Sequence, residues 1–216
     1  MSIDLITITE PRSPVSEAYR SLRTNLSFYS LDKPLRTLVV TSPAPNEGKS
    51  TTVANLAVTM AQSGRATILV DCDLRRPQQH TLFGLENTRG FTNVILEEGS
   101  ELPLLETGVE HLRLLPAGVK PPNPADILGT QQVDRVLELL LAEAEFVLFD
   151  VPPVIGVADA AIIGAKVDGV LLVIKAGKTK RDQAEQAKEI LEKARVHIVG
   201  ATLTNAPQGR SLDGYY

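Results

Sequence analysis

The chain has no tryptophan, two methionines, three histidines and one cysteine among its 216 residues, and aromatics make up only 4% of it. A single thiol, Cys72, cannot close an intramolecular disulfide. Nor can it supply a CxxC zinc site or the two thiolates that a cluster would take from one chain. The histidines, His80, His111 and His197, are too scattered to read as a ligand set. Long apolar runs are missing too. "GVLLVI" at 169–174 is strand-sized, far below the roughly 20 residues that span a bilayer as a helix. The opening "MSIDLITITEPRSP" lacks the basic-then-apolar pattern of a secretory signal. Neither sign of charge dominates: 22 Lys and Arg stand against 26 Asp and Glu, a formal net charge of −4, which gives no reason to expect nucleic-acid binding. These absences predict a soluble, cytoplasmic protein without thiol or histidine metal chemistry.

What is present is an alternation of strand-length apolar runs with helical periodicity. Residues 37–41, 66–71, 112–117, 146–150, 169–177 and 197–204 read as strands, apolar throughout rather than alternating, as expected of strands covered on both faces. Between the last two, Ala184, Ala187, Ile190, Leu191 and Ala194 recur at helical spacing, and the charges around them form a solvated face. The expected fold class is α/β, a mostly parallel sheet with helices on both faces and an N-terminal helix. One domain is expected over 1–216, comprising an N-terminal segment (1–30), the sheet, and a polar tail (206–216). Residues 74–111 are the least patterned stretch and promise at most short helices.

The chemistry concentrates where strands end. "SPAPNEGKST" (42–51) follows the first strand and opens a helix. Backbone N–H groups at a helix start, with the helix dipole behind them, make an anion site. Lys49 is placed to bridge phosphates and Ser50 to ligate Mg²⁺, although Pro43 stands where the strict G-x-x-x-x-G-K-[ST] pattern has its first glycine. The second strand ends in "LVDCDLRRP", placing Asp71 and Asp73 at the sheet's carboxyl edge, where open parallel sheets bind ligands. Another ends in "FVLFDVPP", placing Asp150 as an acid able to hold a magnesium shell. One strand-end aspartate is commonly a cap or turn former. Three of them around a phosphate loop point to a nucleotide site. Cys72, between two of the acids, is expected to be a small core residue.

With these motifs in order, the chain resembles the bacterial tyrosine kinases, P-loop enzymes of capsular and exopolysaccharide synthesis. "SPVSEAYRSLRTNL" (13–26), "LPAGVKPPNPADIL" (115–128) and "DVPPVIGVADAAIIGAKVDGVLLVIKAGKT" (150–179) carry the resemblance beyond the loop. It implies that Lys49 and Ser50 bind ATP and Mg²⁺, with Asn46, Glu47, Gly48 and Thr51 around the phosphates. Asp71 would orient or deprotonate a tyrosine hydroxyl, and Asp73 and Asp150 would organise the metal. Asn205, one position past the family's adenine-contacting asparagine, is the corresponding base contact. Glu17, Arg20 and Arg23, in the E-x-x-R-x-x-R pattern, would join subunits into a ring. On composition alone that helix, started by Ser13 and Pro14, is an ordinary exposed one whose apolar stripe is Val15, Ala18, Tyr19, Leu22 and Leu26.

Two of the chain's four tyrosines, Tyr215 and Tyr216, end it, on a polar tail expected to be mobile. The resemblance makes them phosphoacceptors for a neighbouring subunit. It further implies a transmembrane polysaccharide co-polymerase as activator, recruitment to the inner face of the membrane, and a cognate phosphotyrosine phosphatase. Family tails carry longer tyrosine clusters, and Val151 replaces a threonine common after the Walker-B acid. Two other readings stand beside this one. A partitioning-type ATPase would carry a second lysine early in the loop, where Ala44 stands. A nucleotide-responsive regulator with little kinase activity would have less use for intact Lys49, Asp71 and Asp73.

Overall fold

The computed structural model describes residues 3–29, 34–97 and 99–206. In chain order the elements are α1 (Ile6–Thr9), α2 (Pro14–Tyr29), β1 (Thr37–Thr41), α3 (Lys49–Ala61), β2 (Thr67–Asp71), α4 (Gln79–Phe83) and α5 (Phe91–Leu96). Then come β3 (Leu105–Glu106), β4 (Leu112–Leu115), α6 (Pro124–Leu128), α7 (Gln131–Glu143), β5 (Phe146–Asp150), α8 (Asp159–Gly164), β6 (Gly169–Lys175), α9 (Arg181–Lys193) and β7 (Ile198–Thr204). The strands form one sheet in the order β3-β4-β2-β5-β1-β6-β7, parallel except for β3, which pairs antiparallel with β4.

Every residue of β1, β2 and β5 is buried, which is why these runs lack polar alternation. Their side chains divide by parity into two cores. Leu38, Val40, Leu69 and Leu148 pack with Val53, Leu56, Ala57 and Met60 of α3. Val39, Ile68, Val70, Val147 and Phe149 pack on the opposite face with residues from α5 to α9. Burying a side chain such as Phe149 contributes about 1.5–3 kcal/mol, so deletions on either face should be costly. Val151 lies in the second core, fully buried, and acts through packing.

The strand and helix expectations hold closely. Gly64, at φ 83°, follows the end of α3, and its N–H reaches the Ala61 carbonyl at 2.8 Å. In α9, Ala187 and Leu191 are buried and Ala184 and Ile190 half-buried, as is Ala194 just past its end, as their spacing implies. The weakly patterned 74–111 region contains the short helices α4 and α5, the kind of element expected there, and the two-residue β3, which its sequence did not disclose.

One expectation needs correction. The buried stripe of α2 is not Val15-Ala18-Tyr19-Leu22-Leu26. Val15 is 41% exposed and Ala18 exposed, whereas Ser16 and Leu26 are buried and Tyr19 and Leu22 half-buried. The cause is polar. The Ser16 hydroxyl lies 3.0 Å from the Ile6 carbonyl and 2.8 Å from that of Glu10, so α1 rotates the helix toward Ser16. The predicted start is right: Ser13 Oγ accepts the Ser16 N–H at 3.2 Å.

Candidate active site

The register places β2 and β5 side by side so that Asp71 stands opposite Asp150 at the carboxyl ends of the two strands. β5 and β2 thus bring their terminal acids to the edge from which the loop after β1 also departs. That loop turns on two left-handed residues, Asn46 at φ 62° and Gly48 at φ 92°. Asparagine tolerates this region, and glycine meets it without a steric penalty. A Cβ on Gly48 would also lie 3.3 Å from Thr204 Cγ2. Thr204, the last residue of β7, donates its hydroxyl to the Glu47 carbonyl at 2.7 Å and ties the loop across the sheet.

A cavity of about 680 Å³ opens over this edge. The phosphate loop residues Asn46, Gly48, Lys49, Ser50 and Thr51 form one wall. Asp73, Arg75, Arg76 and Gln78 form another, and the segment after Asp150, from Pro152 to Val157, contributes to the rest. Among the described residues no carbonyl takes the amide protons of Gly48, Lys49, Ser50 and Thr51, the first turn of α3 and the residue before it. Four unpaired donors at a helix start facing a cavity fit a polyphosphate.

Lys49 is the centre of the site. Its ammonium donates to Asp73 Oδ2 at 2.8 Å, to Asp150 Oδ1 at 3.2 Å and to Ser50 Oγ at 3.1 Å. Burial works against its charge, but Asp150 and Asp73 outweigh burial and leave its pKa above the ordinary lysine value. The same hydroxyl and carboxylates that surround this cation suit a divalent one. Ser50, Asp73 and Asp150 are the residues that would hold Mg²⁺. Among the described residues no three His, Cys, Asp or Glu side chains cluster as a metal cage. A magnesium ion here would therefore keep waters and phosphate oxygens in its shell, which suits its preference for few protein ligands.

Asp71 and Asp150 are fully buried and do not line the cavity themselves. Asp150 reaches it through Lys49. Asp71 Oδ2 accepts the backbone N–H groups of Gln78 and Gln79, each at 2.9 Å, and Oδ1 accepts that of Asp73 at 3.2 Å. Burial, followed by the neighbouring charge of Asp150, pushes the Asp71 carboxyl up to about 8 despite those donors. Cys72 between them is buried, and burial with the adjacent acids drives its thiol pKa well up, so it is an inert core residue.

The other expected residues fall in different places. The Glu47 side chain is buried and turned away from the cavity. Its Oε2 accepts the Ala44 N–H at 3.2 Å and its Oε1 the Thr179 hydroxyl, so it braces the loop. Asn205, at φ 55°, is exposed beyond β7 and does not line the cavity. Tyr215 and Tyr216 lie outside the described residues. On α2, Glu17 and Arg20 pair at 2.7 Å, while Arg23 donates to the Thr59 carbonyl of α3 at 2.6 Å.

Sequence reasoning missed two partners. Arg75 forms a bidentate pair with Asp159, at 2.9 and 3.0 Å, and Asp159 has no exposure. Gln79, also fully buried, donates through Nε2 to Asp150 Oδ2 at 2.7 Å and to the Ser50 carbonyl at 3.1 Å. Both contacts join segments more than seventy residues apart or cross from one element to another, and no local spacing reveals them.

Fold and site together define a P-loop nucleotide-binding protein. A family model described as ParA, "NUBPL iron-transfer P-loop NTPase", matches residues 35–205. The chain is 43% identical to the Bacillus subtilis tyrosine-protein kinase YwqD over 218 residues, spanning 100% of this chain and 92% of that protein. A crystal structure of the chimerical protein CapA2B2 superposes with a TM-score of 0.90 at 34% identity, covering 94% of this chain and 90% of the other. The kinase domain of the Escherichia coli tyrosine kinase ETK gives a TM-score of 0.91 at 30% identity, covering 98% and 83%. The chain belongs to the bacterial tyrosine kinase family, and its enzyme class is protein-tyrosine kinase.

Proposed function

We propose that the chain transfers the γ-phosphoryl group of ATP to tyrosine hydroxyls, chiefly Tyr215 and Tyr216 of an adjacent copy in a homo-oligomeric ring, and thereby regulates capsular or exopolysaccharide synthesis and export. The observation that carries this reading is the convergence of Lys49, Ser50, Asp73 and Asp150 under the unpaired amides of the phosphate loop. The α3 amides and Lys49 hold and neutralise the phosphate oxygens. When bound, Mg²⁺ supplies further neutralisation of the phosphates. Ser50, Asp73 and Asp150 orient that region.

In the transfer itself the phenol oxygen bonds to the γ-phosphorus, the bond to the bridging oxygen breaks, and ADP departs with that electron pair. The phenol proton passes to Asp71. A carboxyl poised near 8 is a better proton acceptor than an ordinary aspartate once it is ionised. Asp71 Oδ2 is occupied by the amides of Gln78 and Gln79, so Oδ1, which among the described residues accepts the Asp73 amide alone, is the oxygen left for the proton, and residues 74–78 must give way for an acceptor to reach it. The Glu17–Arg20 pair supports a role for α2 in assembly, since it is partly exposed.

The partners proposed are a transmembrane polysaccharide co-polymerase that recruits the chain to the inner membrane face, and a phosphotyrosine phosphatase that reverses the modification. No helix among the described residues is long and apolar enough to cross a membrane. The test is incubation with Mg-ATP beside Lys49→Met and a Tyr215→Phe/Tyr216→Phe double variant. Phosphotyrosine should form in the parent and vanish in both. Free phosphate without phosphotyrosine, indifferent to the tail variants, would instead mean a nucleotide-hydrolysing switch.

A further inference from the structure

Gln79 is fully buried at the start of α4, yet it touches three parts of the nucleotide site. Its backbone N–H donates to Asp71. Its side-chain amide donates both protons, one to Asp150 Oδ2 at 2.7 Å and one to the Ser50 carbonyl at 3.1 Å. Both partners are pure acceptors, so the orientation of the amide follows from the bonds it makes: the nitrogen must face them. Oε1 is consequently left buried without a partner. An orphaned buried oxygen costs stability, and a chain selected only for stability has simpler residues for this place.

The pairing also divides the two oxygens of Asp150. Oδ2 is spent on Gln79, and Oδ1 faces Lys49. Without the amide, the Asp150 carboxylate could rotate, and its buried Oδ2 would have no donor. The Ser50 carbonyl would likewise lose its tie to the segment after β2. One side chain therefore sets the distance between the phosphate-loop helix and the strand-end acid, the two elements from which a metal would be held.

We propose that Gln79 is a positioning residue for the metal-nucleotide site, orienting Asp150 and anchoring Ser50 so that Asp150 Oδ1 and Ser50 Oγ, which here share the Lys49 ammonium, face one cation. This rests on the kinase reading above. Gln79 acts through Asp150 and Ser50 and is not itself catalytic. Supporting groups behind metal-shell residues commonly control metal affinity or activity by about 10- to 100-fold.

The test compares the full chain with Gln79→Met, which keeps length but has no donor, and Gln79→Glu, which donates a proton only as the acid. Binding of a fluorescent ADP analogue is titrated with Mg²⁺ and also measured in chelator, alongside phosphotyrosine formation and thermal unfolding. Gln79→Met should need about 10- to 100-fold more Mg²⁺ for half-maximal binding, lower kcat more than it raises KM, and bind the analogue in chelator as the parent does. Gln79→Glu should recover part of the loss as pH falls and its acid form donates to Asp150, with Lys49 and Asp73 the charged groups nearby and Asp71, whose carboxyl is pushed up to about 8, a further titratable one. If Gln79→Met folds poorly, this recovery carries the test. Parent-like Mg²⁺ dependence in Gln79→Met, or no recovery in Gln79→Glu, overturns the proposal. A parent that binds Mg-nucleotide but makes no phosphotyrosine overturns the kinase reading instead, and the Mg²⁺ titration still decides the role of Gln79.

Discussion

Asp71 and Asp150 end adjacent parallel strands in register, both with no solvent exposure, and among the described residues only Asp150 is touched by a cation. The pair concentrates negative charge at the sheet edge. Lys49 neutralises one member, and burial holds the proton on the other.

From this follows a pH dependence of stability. The Asp71 carboxyl is about 8 folded and 3.8 in its ordinary state. The unfolded chain therefore releases this proton as pH rises above about 4, while the folded chain keeps it, and folding stability falls until pH passes the folded value. Asp71→Asn cannot ionise. Its melting temperature relative to the parent should rise steadily from pH 5 to pH 8, while phosphotyrosine formation is lost. A constant difference across that range would show that Asp71 is ionised in the folded protein.

Lys49→Met should cost more than activity. It leaves Asp73 and Asp150 facing each other without a cation, and breaking a buried pair typically costs about 3–5 kcal/mol. Mg²⁺ alone, without nucleotide, should raise the melting temperature of the variant more than that of the parent, because the metal replaces the missing ammonium. Equal shifts in calorimetry would argue against a shared cation site.

Arg75→Ala should destabilise the protein by about 1–3 kcal/mol, since Asp159 is left buried without its bidentate donor. The partly exposed guanidinium argues for the lower half of that range. Asp159→Asn combined with Arg75→Ala should be less damaging than the sum of the two single changes, as read by chemical denaturation. Additive losses would mean the two groups are not coupled.

The three charged residues of α2 should separate by experiment. Arg23 donates to the Thr59 carbonyl, so Arg23→Ala should lower stability by about 0.5–1.5 kcal/mol in the isolated chain. Glu17→Ala and Arg20→Ala leave the α2–α3 contact intact and should change melting temperature little while reducing the mass of the assembly measured by light scattering. An unchanged mass in both would remove α2 from the assembly surface.

The strands and most longer helices were legible because buried parallel strands and amphipathic helices write their periods directly into the chain, as in Phe146–Asp150 and Arg181–Lys193. The phosphate loop and its acids were legible for a related reason: a helix start and two strand ends mark themselves by a glycine, a lysine and terminal aspartates. The facing of α2 was not, because a serine hydroxyl bonded to α1 competes with its apolar stripe.

The sequence by itself determined an α/β sheet and which side chains could meet a phosphate. Only the tertiary structure decided which of those acids is paired, which is sealed, and that a glutamine stands behind Asp150. The reason is physical. Periodicity reports how each element meets its own layer, whereas the state of a carboxylate depends on burial and on donors brought from distant strands and loops.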